Sequence, residues 1–308
     1  MIETAPAQEA ADPADDKLPP LGGQTAVTQR GDLWLLDGHK VYCGDSRDAA
    51  SFQAVLGRQR AQMVFTDPPY NVRIDGNVGG LGKVRHREFA MASGEMSPAE
   101  FERFLKETFT LLARFSADGS IHFVCMDWRH LGETLAAGKA AYSELKNICV
   151  WAKDNGGMGT FYRSRHELVL TFKSGAAAHI NNFELGQGGR YRTNVWTYRG
   201  MNSRGSARDS ELALHPTVKP VALIADAIRD VSSRNGIVLD CFGGSGSTLI
   251  AAHKTGRRGR IIEIDPTYVD RMIMRWQEFA KDDAVLAATG QTFAQVAKDR
   301  ARSKKGAA

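Results

Sequence analysis

Apolar residues gather along this chain in two kinds of stretch. Short runs dominated by them occur at residues 61–65, 119–126, 148–152, 167–172, 237–240 and 260–265. Runs of that length, bounded by turn residues, read as strands, and the most continuous of them as strands buried on both faces. Longer stretches place apolar residues three and four apart. Residues 97–115 show this best: Phe101, Phe104, Leu105, Thr108 and Leu112 share one helical face, Ser97 stands where a cap belongs and Pro98 occupies the first turn. Further helices are predicted over 46–57, 220–231 and 268–280, and one opens from a glycine turn into Leu249–His253. Residues 71–96 lack either period and are expected to form a mobile loop. Strands alternating with helices, without an internal repeat, predict an α/β fold with a doubly wound, mostly parallel sheet.

Composition narrows the function classes. A chain of 308 residues can bury one large α/β core. Cys43, Cys125, Cys149 and Cys241 lack metal-ligand spacing, so no metal is expected, and reduced, buried thiols in a cytoplasmic protein are. Methylation of a cytosine ring carbon needs a cysteine nucleophile, usually after proline; no cysteine here follows one. No apolar run reaches a membrane span, and the acidic amino terminus is unlike a secretory signal.

Charge is unevenly placed within a net of +5. Residues 1–30 carry five acids against Lys17 and Arg30, are rich in Ala and Pro, and predict a disordered acidic tail with order starting near Gly31. Residues 146–220 hold eleven bases against five acids, interleaved with Tyr191, Trp196 and Tyr198. Phosphate contacts with base or sugar packing fit that composition, so double-stranded DNA is the expected partner. The Lys- and Arg-rich end, residues 286–308, is expected to be a basic tail.

Two motifs carry chemistry. The first, Thr66-Asp67-Pro68-Pro69-Tyr70, follows the strand at 61–65. An amine conjugated to a base ring is a poor nucleophile because its lone pair is delocalised. The Asp67 carboxylate and the Pro68 carbonyl can each accept one N–H and so localise that lone pair. The prolines stiffen the segment and remove two backbone donors. Tyr70 offers a ring on which an extruded base can stack. The second motif, Asp240-Cys241-Phe242-Gly243-Gly244-Ser245-Gly246-Ser247-Thr248, runs from a strand through a glycine turn into a helix. Such a turn lets backbone approach a cofactor at the positive end of the helix. Glu263 lies 17 residues past Gly246, at the distance where an acid binds ribose hydroxyls. A nicotinamide dinucleotide fits poorly, since neither register completes G-x-G-x-x-G; S-adenosylmethionine, with a ribose and a charged amino-acid tail, fits.

Together the motifs resemble the β group of exocyclic-amine DNA methyltransferases, in which the catalytic half precedes the cofactor half. The likeness covers roughly residues 31–280. It implies an S-adenosylmethionine-dependent, Rossmann-like methyltransferase fold with a target-recognition insertion. Its halves would be a catalytic half at 31–172, a target-recognition region at 173–214 and a cofactor half at 215–285. The implied catalytic residues are Asp67, Pro68, Pro69 and Tyr70. The implied cofactor residues are Asp45, Asp67, His215, Thr217, Lys219, Asp240, Phe242, Gly243, Gly244, Ser245, Gly246, Ser247, Thr248, Glu263, Ile264 and Asp265. Phosphate and base contacts are expected from Arg163, Arg165, Arg190, Arg192, Arg199, Arg204, Trp196 and Tyr198. Asp at the first motif position is more typical of N6-adenine enzymes, Ser of N4-cytosine ones. The resemblance further implies base flipping with direct transfer, a homodimer as one assembly state, and a cognate restriction nuclease as one partner. A lead-in at residues 31–39 looks like that of phage- and mobile-element-associated members, which suggests instead a solitary modification enzyme.

Overall fold

The computed structural model describes residues 11–19, 25–72, 92, 94–156, 161–187, 190–200 and 218–306. Among them, five strands form the parallel heart of the sheet: β2 (His39–Cys43), β9 (Arg258–Glu263), β8 (Ile237–Asp240), β3 (Ala61–Thr66) and β4 (Ser116–Met126), in that spatial order. Burial on both faces explains their apolar runs; every residue of β8 is buried. One flank continues antiparallel through β6 (His166–Lys173) to β5 (Glu144–Ala152), with β7 (Val195–Thr197) at the edge. The other flank ends in β1 (Leu33–Leu36) and β10 (Val285–Leu286), making ten strands in all among the described residues.

Helices cover both faces. On one side α1 (Ala49–Leu56), α2 (Pro98–Arg114) and α3 (Leu131–Ala141) bury Phe52, Phe101, Phe109 and Ala137. On the other side α4 (Val221–Val231), α5 (Ser247–Lys254) and α6 (Pro266–Ala280) bury Leu223, Ile250 and Trp276. The start of α2 is fixed as its sequence predicts: Ser97 and Glu100 exchange hydrogen bonds in a capping box, with Pro98 in the first turn. From β3 the chain crosses through α2 to β4, and from β8 through α5 to β9 on the opposite side. The crevice at the carboxyl ends of β3 and β8 is therefore a topological switch point, where open α/β sheets bind ligands.

Two expectations for the chain ends are corrected. The acidic segment does not wait for residue 31 to become ordered: residues 11–19 lie against the α4–α6 face, with Leu18 buried. Asp15 pairs with Lys254 at 2.5 Å, and its carbonyl accepts from Arg275 at 2.7 Å. Asp16 accepts the Val221 N–H at 2.9 Å, capping α4 from outside. Asp15 and Asp16 are thus taken up by a partly buried lysine and a helix end, which lets an Ala- and Pro-rich stretch pack. The basic end is α7 (Phe293–Gly306), anchored by buried Phe293 and Val296 and by Arg300, which bonds both Asp32 oxygens. The described residues contain no helix long and apolar enough to cross a membrane. All four cysteines are free and buried.

Candidate active site

Asp67 and the glycine turn, 176 positions apart in the chain, line one pocket at the switch point. The side-by-side strands β3 and β8 bring them there, bolted by one carboxylate. Asp240, the last residue of β8, accepts from Thr66 at 3.0 Å, from Thr248 at 2.7 Å and from the Phe242 N–H at 3.0 Å. Burial raises its carboxyl to about 6 against those donors. Asp240 and Thr248, expected to touch a cofactor, thus hold β3, β8 and α5 together.

The turn itself is tight. A Cβ at Gly243 would sit 2.4 Å from Ile261 Cγ2, and Gly246 has φ 82° with Met272 Cγ 2.6 Å from where its Cβ would be. Only glycine lets this backbone press so closely on β9 and α6 while Gly243, Gly244 and Ser245 line the pocket. Ser247 is the first residue of α5 and also lines it. Glu263, at the end of β9, accepts the Gly244 and Asp265 N–H groups, each at 2.8 Å. Burial, against the pull of those two donors, raises its carboxyl to about 7. Ile264, Asp265 and Phe242 complete that side, with Asp265 also capping α6 at Thr267 N–H. Tyr268, not among the expected site residues, lines the pocket as well.

The other side is a cluster of four charges. Asp67 accepts from Lys219 Nζ at 2.6 Å and from the Tyr70 hydroxyl at 2.7 Å. Glu167 on β6 faces the same two donors, each at 3.0 Å, and also pairs with Lys153. Burial raises the Asp67 carboxyl, against the attraction of Lys219. For Glu167 burial again acts upward, but Lys219 and Lys153 outweigh it and bring the carboxyl to about 2. Burial would lower Lys219; the two carboxylates instead raise it well above the ordinary lysine value. Pro68 and Pro69 line the pocket beside them.

Lys219, expected beside the cofactor, lines the pocket with its ammonium on Asp67 and Glu167. Several other expected residues fall elsewhere. Asp45 turns away to pair with Arg47 at 2.8 Å, and its neighbour Ser46 lines the pocket in its place. His215, Thr217 and Arg204 lie outside the described residues, as does most of the expected 71–96 loop. Arg190 and Arg192 do not present themselves to DNA: Arg190 is 1% exposed and bonds Asp226 and Asp230 of α4, and Arg192 bonds Asp230 at 3.0 Å. Trp196 and Tyr198 are buried too, Tyr198 donating to Asp226 at 2.5 Å and accepting from Arg192. Two buried acids on a mostly apolar helix that carries one arginine of its own demand further cations, and that satisfies part of the basic excess inside the fold. Arg163, Arg165 and Arg199 are at the surface, beside the exposed pair Phe161 and Tyr162. Glu167 was missed as a site residue; a charge opening a buried strand was its sequence signal.

The fold is that of an S-adenosylmethionine-dependent methyltransferase. It is similar to the crystal structure of an M1.HpyAVI–SAM complex (TM-score 0.55, 18% identity, covering 76% of this chain and 97% of that one). It is also similar to the PvuII DNA methyltransferase, cytosine-N4-specific (TM-score 0.55, 15% identity, 81% and 89%). A family model described as DNA methylase, of the N6/N4 type, matches residues 61–275, and the chain belongs to that family. Among curated relatives, the type II methyltransferase M1.MboII of Moraxella bovis is 37% identical over 273 residues, covering 76% of this chain and 93% of that protein. S-adenosylmethionine is the methyl donor. The residues present fit it: a bare backbone turn at a helix start, and a buried carboxylate whose partners are two backbone N–H groups with lone pairs to spare.

Proposed function

We propose that the protein methylates the N6 amine of adenine in duplex DNA, on a base swung out of the stack into the pocket at Asp67. The observation that carries this is that Asp67 and Gly243 both line one pocket at the β3/β8 switch point. Bound S-adenosylmethionine supplies an electrophilic methyl group. Glu263 would hold its ribose hydroxyls, with the backbone of Gly243 to Ser245 alongside. Asp67 and the Pro68 carbonyl accept the two amine hydrogens and localise the nitrogen lone pair. Positive charge that develops on that nitrogen would fall next to a partly buried carboxylate, where a dielectric below that of water strengthens the attraction. No covalent enzyme intermediate is needed, so most of the rate comes from positioning.

Adenine is favoured by Asp67 itself, the acidic first position typical of the adenine branch in the resemblance described above. Arg163, Arg165 and Arg199 are the exposed cations placed to meet phosphates. The test is incubation with labelled S-adenosylmethionine and unmodified duplex DNA, then digestion to nucleosides. Label in N6-methyldeoxyadenosine supports the proposal; label in N4-methyldeoxycytidine overturns the choice of base. No label in DNA overturns the reaction.

A further inference from the structure

Asp67 faces a difficulty as an acceptor for an incoming amine, because both its oxygens already hold donors. One takes the Tyr70 hydroxyl at 2.7 Å and the other the Lys219 ammonium at 2.6 Å. Lone pairs remain on both oxygens, but an amine arriving there would share a carboxylate whose charge an ammonium and a hydroxyl already draw on. Both occupying donors have the same alternative. Glu167 Oε2 stands 3.0 Å from the Tyr70 oxygen and 3.0 Å from Lys219 Nζ. The Tyr70 hydroxyl has one proton and can give it to only one of the two carboxylates at a time.

We propose that Glu167 is a positioning residue for methyl transfer, the alternative acceptor that draws the Tyr70 hydroxyl and the Lys219 ammonium away from Asp67 when the amine enters. Its place in the fold suits that work. Glu167 is the second residue of β6, paired in register with Trp151 of β5, so its backbone is held by the neighbouring strand. Lys153, just past the end of β5, pairs with its other oxygen and lies 4.5 Å from the Trp151 ring centroid. That second cation keeps Glu167 ionised through the exchange, in line with a carboxyl held near 2. The two carboxylates therefore divide the labour: Glu167 stays anionic and anchors donors, while Asp67 is left to meet the substrate. Lys219 moves between two anions already within reach, so the exchange never leaves a buried ammonium unpaired. The cluster contains two acids and two lysines, which keeps its charge balanced in either arrangement.

The inference rests on the reading of Asp67 as the amine's acceptor. The experiment compares wild type with Glu167→Gln, Glu167→Asp, Tyr70→Phe and the Glu167→Gln/Tyr70→Phe pair on unmodified plasmid DNA. It reads kcat, its pH profile, and the Kd of S-adenosylmethionine by calorimetry. Glu167→Gln should lower kcat by about 10²-fold and change cofactor Kd less than about threefold. Glu167→Asp should recover part of kcat. In the Tyr70→Phe background the Glu167→Gln loss should shrink, because one of the two donors it redirects is gone. The acid limb of kcat should move to lower pH in Glu167→Gln, since a negative neighbour that raises the Asp67 carboxyl has been removed. A Glu167→Gln enzyme with wild-type kcat and an unmoved acid limb overturns the proposal. So does cofactor affinity lost in parallel with kcat, which would make the residue structural. A wild-type protein that transfers no methyl to DNA would sink the underlying reading and this one with it.

Discussion

Asp67, partly buried, and Glu263, buried, are both carboxylates at strand ends, yet their surroundings give them different work. Asp67 sits among cations and a hydroxyl; Glu263 sits among backbone N–H groups. Asp67→Asn keeps the shape but turns one acceptor oxygen into a donor pointed at Lys219 or the amine. It should cost about 10³-fold in kcat while S-adenosylmethionine still binds with near wild-type Kd. Parallel losses of both would show a folding defect. For Glu263 the ionised form is the one able to accept two hydroxyls, and its carboxyl titrates near 7. Cofactor affinity should therefore rise as pH increases from about 6 to about 8, and Glu263→Gln should flatten that dependence while weakening Kd. Calorimetry across that range decides it: an affinity independent of pH in wild type would remove Glu263 from the binding site. Both residues were legible in the sequence, Asp67 because its motif is complete within five positions and Glu263 because it ends the strand 17 residues past the glycine turn.

Elements explain what a linear reading could not reach. The start of α2, the glycine turn and the strand at 61–65 are encoded by neighbours in sequence, and each forms where it is predicted. Arg190 is encoded by α4, 36 and 40 residues away, so its cationic side chain looked like a phosphate ligand. The hairpin of β1 and β2, the helix α3 and the helix α7 also went unpredicted; their apolar faces are short or weakly periodic, and tertiary packing decides them. The distinction between buried and exposed arginines has a measurable consequence. Arg190→Ala removes the most deeply buried of the cations that Asp226 and Asp230 share, leaving them Arg192, and should destabilise the fold by about 3 kcal/mol in urea denaturation. Arg163→Ala, at the surface, should leave stability within about 0.5 kcal/mol. If it meets a phosphate, the slope of log K against log salt should drop by about one. An Arg190→Ala protein that is fully stable but weakened on DNA would reverse the assignment of the two.

Across the whole molecule the buried titratable groups oppose one another, and their balance predicts how the fold responds to acid. His39 is held to about 3 by burial, by His253 and by Arg260, and buried His122 likewise to about 3. The unfolded chain protonates both near 6.5, so between about 6.5 and about 3 it binds two protons that the native state refuses. Alone, that would remove roughly 2–3 kcal/mol of stability per pH unit. Glu263, near 7, and Asp240, near 6, act the other way, because the native state takes their protons before the unfolded chain does at the ordinary values of 4.5 and 3.8. Asp67, whose carboxyl is also raised, adds to that side. From pH 7 to about 5 the two pairs nearly cancel. Below about 4.5 the unfolded carboxylates are protonated too and the compensation ends. Glu167, held near 2 in the fold, then joins the histidines in favouring the unfolded chain. Stability should therefore be almost level from pH 7 to 5 and fall by roughly 2 kcal/mol per pH unit between about 4.5 and 3. Urea denaturation at closely spaced pH values checks this, with His39→Gln and His122→Gln each expected to soften the acid limb. A steep loss already between pH 6.5 and 5.5 would mean that Glu263 and Asp240 are ionised in the native state, and the polarity of the pocket would have to be redrawn.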